Sequence, residues 1–290
     1  MKIIFSRKGF DSGYGGVPSP ILPDGSLVSF PIPSRFGRPL SDLRFGNRPL
    51  GEMVSELTRG KIATTRSVHL DPDLMTGSVP RLPGWCAAFG QTGSAQGHLR
   101  NQGVGPGDLF LFFGWYQRVE HRDGKLQYAG PQIHSLFGWL QIGDVLKVTD
   151  SAALLKQRPW LVDHPHLQHA TSMGSNNTVY IAAPQLRIGS AHTQVAGAGI
   201  FSRWSELLQL TAPAQNRSVW HLPGWMLPPN GQSALSYHPT AQAWERQQDN
   251  LVRLRTAAKG QEFVLNTPDP TAAQKWLERL FAQESKMTGG

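Results

Sequence analysis

Three side chains of metal-ligand type, His69, Asp71 and Asp73, stand two residues apart in one short stretch. Residues two apart in an extended strand point to the same side, so the spacing predicts that they converge. An imidazole beside carboxylates, with room left for water, is a donor set for a divalent metal such as iron(II) or zinc. His98 and Asp11 are candidates to complete it. The expected metal ligands are therefore His69, Asp71 and His98, and the expected catalytic set is Asp11, His69, Asp71 and His98. His98 also suits proton transfer, because an unperturbed imidazole titrates near neutral pH. The competing reading is a turn in which Asp71 and Asp73 accept backbone N–H bonds around Pro72.

A second group surrounds His98: Gln91, Gln96, Arg100 and Asn101. Amide side chains read a base edge through paired hydrogen bonds, and a guanidinium suits phosphate or a guanine edge. A third group, Arg7, Lys8 and Ser12, stands where a short strand (Lys2 to Phe5) runs into a turn containing Gly13, Gly15 and Gly16. Loops at strand ends are common carriers of function, and these cations are candidates to hold phosphate. The plainer alternative is a hairpin with a solvated turn, returning through an extended Leu27 to Ile32. His164, His166 and His169 cluster in an expected loop; they are able to bind metal, but exposed histidine clusters without carboxylate support often do nothing specific. His134 lies in an apolar run and reads as a satisfied core histidine. Cys86 reads as buried and inert.

The elements that must position these groups are mostly strands. Leu109 to Tyr116 is a dense apolar run suited to a buried strand, and Asp123-Gly124 is a hairpin signal. Ile133 to Leu140 and Gln141 to Val148 continue the pattern, with Gly138 and Gly143 as expected bulges. Helices are expected at Leu50 to Leu57, Ser151 to Leu161, Phe201 to Leu210 and Thr271 to Lys286, and a short helix or loop at Ser94 to Asn101. The pattern over about residues 104–148 looks like the PUA-like barrels of EVE and ASCH modules, which bind RNA or modified bases at one end. The expected fold class is α+β, predominantly β, with a PUA/EVE-like barrel segment and peripheral helices, in a single compact unit over 1–290.

The opening stretch Met1 to Gly25, together with Val68 to Leu74, Phe89 to Trp115, Phe137 to Val145, Asn176 to Ala182 and Gly260 to Val264, resembles the family called nucleotide modification-associated domain 3. The resemblance implies a bacterial or phage protein linked to modification of bases in nucleic acid. It assigns no reaction.

Composition narrows the classes. The chain carries 28 Lys and Arg against 20 Asp and Glu, a net +8, which favours phosphate-bearing partners such as nucleic acid or a nucleotide. A single cysteine rules out an intrachain disulfide and a multi-thiolate zinc site. No long apolar run or signal-like N-terminus stands out, so a cytoplasmic protein without a membrane span is expected. Two functions compete: an enzyme that alters a nucleic-acid base or its precursor, and a non-catalytic reader of modified bases. A small-molecule or peptide-tailoring enzyme is a third. All rest on one expectation, that the N-terminal turn, the His69 stretch and the amide-rich stretch share a cleft.

Overall fold

The apolar run that begins at Leu109 anchors the fold. Leu109 to Phe113 are each at most 1 % exposed, so this strand is covered on both faces. The computed structural model describes residues 1–227, 234–238, 240–257 and 262–287. Up to the first helix the chain forms β1 (Ile3–Arg7), β2 (Ser19–Ile21), β3 (Ile32–Pro39), β4 (Arg44–Phe45), β5 (Arg48–Pro49) and α1 (Leu50–Leu57). Next come β6 (Ser67–His69), β7 (Ala88–Gln91), α2 (Gly93–Asn101), β8 (Leu109–Arg122) and β9 (Lys125–Lys147). The middle holds α3 (Ser151–Gln157), α4 (Pro165–Gln168), β10 (Thr178–Ala182), β11 (Gln185–Ile188), β12 (Ala191–Ala196) and β13 (Ala198–Ile200). The chain closes with β14 (Val219–Pro223), β15 (Trp244–Arg246), β16 (Leu251–Arg255), β17 (Glu262–Leu265) and α5 (Pro270–Met287).

The fold is α+β and predominantly β, as the sequence predicts. β8 and β9 form one long hairpin around Asp123-Gly124, both with positive φ, the conformation a tight two-residue turn demands. The main sheet runs β17-β1-β8-β9-β10-β7, with β1 parallel to β8 and the other neighbours antiparallel. The pairing slips beside Gly138 and again at Gly143, the two expected bulge positions. Bulges sharpen twist, and here they accompany a sheet curled into a half-barrel. The curl brings the two edge strands of that path within side-chain reach: Gln91 Nε2 of β7 donates to Glu262 Oε1 of β17 at 2.6 Å. The rings of Phe89, Phe110, Phe112 and Tyr180 pack together on the concave side.

Two expectations give way to competing pairings, and a third to a local helix. Leu27 to Ile32 does not pair with β1, because β8 and β17 occupy both edges of that strand. Phe201 to Leu210 is not helical beyond a short turn at Glu206–Leu208. Its backbone is committed to β9 instead, Phe201 N–H donating to Phe137 O and Leu210 N–H to His134 O. The His164 loop contains a short helix, α4, started by Pro165. Among the described residues no helix is long and apolar enough to cross a membrane.

Candidate metal centre

β7 divides two polar clusters. Alternation along the strand sends Phe89 and Gln91 into the concave interior and Ala88 and Gly90 to the outer face. On that outer face Gly90 backs directly onto His166: a Cβ at Gly90 would lie 2.2 Å from His166 Cδ2, so only glycine leaves room for the ring. α4 holds His166 there, packed over Ala88, Val179 and Ile181 in a small apolar cluster with Leu161 and Leu167.

Four side chains meet at this place. β6 ends at His69, and Asp71 N–H then turns back to donate to His69 O at 3.0 Å. This turn breaks the alternation on which the sequence reading relied. Asp71 swings onto Gly90, whose N–H donates to Oδ1 at 2.9 Å, while Oδ2 lies 3.4 Å from His69 Nε2 and 3.3 Å from His166 Nε2. One ligand atom each from His69, Asp71 and His166 falls within 4.8 Å of the others. His164 Nε2 stands 4.0 Å from Asp71 Oδ1 and has no hydrogen-bond partner, although it is buried. The Asp71 side chain is 4 % exposed and that of His69 is 26 %, so the cluster opens to solvent on the His69 side.

Hydrogen bonds decide the protons. Asn177 Nδ2 donates to His166 O at 2.8 Å, which turns its Oδ1 toward His166 Nδ1 at 2.6 Å. That Nδ1 must therefore carry hydrogen, and in the neutral ring Nε2 presents a lone pair to Asp71. His164 has the opposite arrangement. Its Nδ1 accepts the His166 N–H at 3.3 Å, so in the neutral ring the hydrogen sits on Nε2 and faces the cluster. Burial pushes the His164 imidazole down to about 3; Asp71 opposes the shift and His166 and His69 add to it. For Asp71, burial works against the charged form. The imidazoles of His166, His69 and His164 gathered around it favour the ionised form whenever they carry a proton and outweigh burial, holding the carboxyl below the usual carboxylate range.

The other expected site residues lie elsewhere. Asp73 is gripped by Arg81, with Nη1 and Nη2 at 2.6 and 2.5 Å from its two oxygens, and Arg81 stacks on Trp85. Burial dominates the Asp73 carboxyl and raises its pKa despite that partner. Asp11 accepts the N–H groups of Gly13 and Tyr14 and serves as a turn former, with Ser12 exposed in the same turn. Arg7 and Lys8 point to opposite sides of the sheet and cannot grip one phosphate. Lys8 faces inward, 2.7 Å from Glu262 Oε1 and over the Phe89 ring. Gln91 joins the same carboxylate, and Gln96 accepts from Tyr180 Oη. His98, on α2, lies with this interior group: its Nε2 is 2.9 Å from Ser236 Oγ and its ring lies against Tyr237. Burial lowers its pKa, against the pull of Glu262. Arg100 and Asn101 are exposed on α2, Arg100 reaching Asn176.

His98 therefore stands apart from His69 and Asp71, and the expected shared cleft becomes two compartments back to back. The sequence alone set His164 and His166 aside for want of a supporting carboxylate, which Asp71 supplies, and it singled out neither Asn177 nor Glu262. One signal was available: His164 and His166 repeat the two-residue spacing of His69 and Asp71, with Pro165 able to start a helix between them. Cys86 is exposed rather than buried, since β7 begins only at Ala88. His134 is a core histidine as expected, accepting from Trp220 Nε1 at 3.0 Å.

Residues 2–266 match the model of the family described as nucleotide modification associated domain 3, and the chain belongs to that family. Of the stretches that carried the resemblance, Gly260 and Gln261 lie outside the described residues. No curated protein and no solved structure matches the chain. The family ties the protein to nucleotide modification at the level of its description.

Proposed function

We propose that the protein is a metal-dependent enzyme that modifies a nucleotide base, with His69, Asp71 and His166 as ligands to a divalent ion, iron(II) or zinc. The observation that carries this reading is the convergence of those three ligand atoms, with His166 fixed by Asn177 in the tautomer that frees Nε2. The separations of 3.3 and 3.4 Å from Asp71 Oδ2 suit neighbouring ligands. Two ligands each ~2.1 Å from a tetrahedral ion lie ~3.4 Å apart. Two imidazoles and one carboxylate leave positions open for water and substrate, the arrangement of catalytic rather than closed structural sites. When bound, such an ion polarises a coordinated water or substrate oxygen. The protein's own contribution is to exclude water on the α4 side, to hold Asp71 ionised, and to aim the Nε2 hydrogen of His164 into the centre.

Elemental analysis of the purified protein is expected to find about one equivalent of bound metal, lost in Asp71→Asn and in His166→Ala. Mass spectrometry of nucleosides from treated DNA should then show a product that chelator abolishes. Metal-free protein with no gain on reconstitution, in a folded wild type, would sink the proposal.

A second reading, a non-catalytic reader of modified bases, draws on the interior compartment. There Glu262 Oε2 and Ser6 Oγ are buried without hydrogen-bond partners among the described residues, free acceptors of the kind a base edge satisfies. Preference for a modified over an unmodified oligonucleotide, with no product formed, would favour it.

A further inference from the structure

A groove of about 870 Å³ runs beside the β3–β6 pair, with Ser34, Arg35, Lys61, Thr65, Arg66 and Ser67 among its walls and no carboxylate lining it. Arg35, Lys61 and Arg66 are all exposed. None of the three has an ion-pair partner among the described residues. Two cations close in sequence to the groove residues are by contrast engaged: Arg38 binds Asp163 at 2.6 Å, and Arg81 binds Asp73. Between residues 34 and 66 seven cations face three acids, a surplus of four within the chain's net +8. Like charges left unpaired along one concave wall repel one another, and a polyanion relieves that cost.

The groove lies two strand residues from the candidate metal centre. Val68 is fully buried, so Ser67 and His69 point to the opposite side of β6, one into the groove and one into the imidazole cluster. Two residues of strand span about 7 Å. His69 is also the member of the cluster that solvent reaches. Two exposed rings flank the path. Phe36, 53 % exposed, follows Arg35 and lies against His169, and Tyr14, 58 % exposed, precedes Gly15 on the groove wall.

We infer that this groove holds the sugar-phosphate backbone of a single-stranded oligonucleotide and feeds one nucleotide to His69, with Phe36 and Tyr14 as stacking faces for unpaired bases. The inference rests on the proposed metal centre for its destination and names a polymer, not a free nucleotide, as substrate. A mononucleotide would engage one of the three cations, whereas a strand engages them in turn. A paired base could not reach a cluster set below the surface without leaving its stack.

The test is binding of a fluorescent single-stranded dodecamer, as DNA and as RNA of the same sequence, measured in chelator at about 50 and 200 mM salt. Wild type should bind at least one of the two, more weakly at the higher salt. Arg35→Ala, Lys61→Ala and Arg66→Ala together should lower low-salt affinity at least tenfold. They should also flatten the log–log salt slope by about 2, since each single-strand phosphate contact contributes about 0.7. Phe36→Ala should cost about tenfold with the slope unchanged. A control with Lys147, Lys275 and Arg279 changed to Ala should bind as wild type does. The inference is overturned if the groove variant keeps wild-type affinity, if the control loses as much, or if phosphatidylserine vesicles bind to the groove in preference to the oligonucleotide. Chelator removes the metal from the experiment, so failure of the metal centre leaves this result intact. The groove variant's metal content, measured separately, shows whether the centre survives.

Discussion

Asn177 holds His166 at two points, and both atoms it uses are buried. Its carbonyl oxygen selects the imidazole tautomer, and its amide fixes which way that oxygen faces. Such partners set a ligand's direction and basicity without touching the ion, and their loss typically costs 10- to 100-fold in metal affinity. Asn177→Ala should therefore weaken zinc binding by about that factor in a competition titration, with circular dichroism unchanged. Unaltered affinity would mean that the His166 ring is held by packing alone. A different histidine governs a pH effect. His134 is 8 % exposed, and burial, helped by the charges of Arg217 and Arg7, pushes its pKa down to about 3. The unfolded chain, with an ordinary imidazole, takes up the proton first. The stabilisation from keeping His134 neutral is thus complete above about pH 6.5 and drains away as pH falls toward 3. At pH 5 the loss amounts to about 2 kcal/mol. His134→Asn offers Trp220 an oxygen acceptor that does not titrate. Urea unfolding at pH 7 and pH 5 should show the variant losing about 2 kcal/mol less than wild type over that interval.

At the level of elements, the half-barrel is braced by one carboxylate. Glu262 of β17 accepts from Lys8, just past the end of β1, and from Gln91 of β7, so a single side chain ties the two edges of the curled sheet. The Lys8 and Glu262 side chains are 8 % and 1 % exposed. Removing one member of a buried pair strands the other charge, at a cost of about 3–5 kcal/mol. Glu262→Gln should lower the urea midpoint by a corresponding amount, and adding Lys8→Met should recover much of the loss by removing the stranded cation. A double variant as unstable as the single one would assign the cost to lost hydrogen bonds instead of charge. The strands themselves were readable in the sequence. Leu109 to Tyr116 is too uniformly apolar for a surface element, and Asp123-Gly124 supports the positive φ of a tight turn. What could not be read was which edge meets which, because the Gln91–Glu262 contact joins residues 171 apart.

Across the whole molecule, the same limit explains how much of the candidate site was visible. His69 and Asp71 announce themselves by type and spacing. Their partners come from α4 and the residue that caps it, nearly a hundred residues away, and only the fold shows that Gly90 leaves a hollow for His166. Expecting Asp73 and His98 to join them assumed an unbroken strand and a single cleft. The Asp71 turn and the alternation of β7 remove both assumptions, sending Asp73 to Arg81 and His98 to the interior. Charge was legible as a total but not as a place. The surplus of cations says polyanion, while the groove beside β6 says where one would lie.

β7 is a party wall. Its four residues serve neighbours on both sides, and they do so through a single backbone. Losing or gaining one residue there would exchange Gly90 for Gln91, driving an amide into the His166 ring and unfastening Glu262 at the same stroke. A substitution in this segment disturbs one tenant, whereas an insertion or deletion evicts both, so the length of the segment matters to the molecule more than any one of its letters.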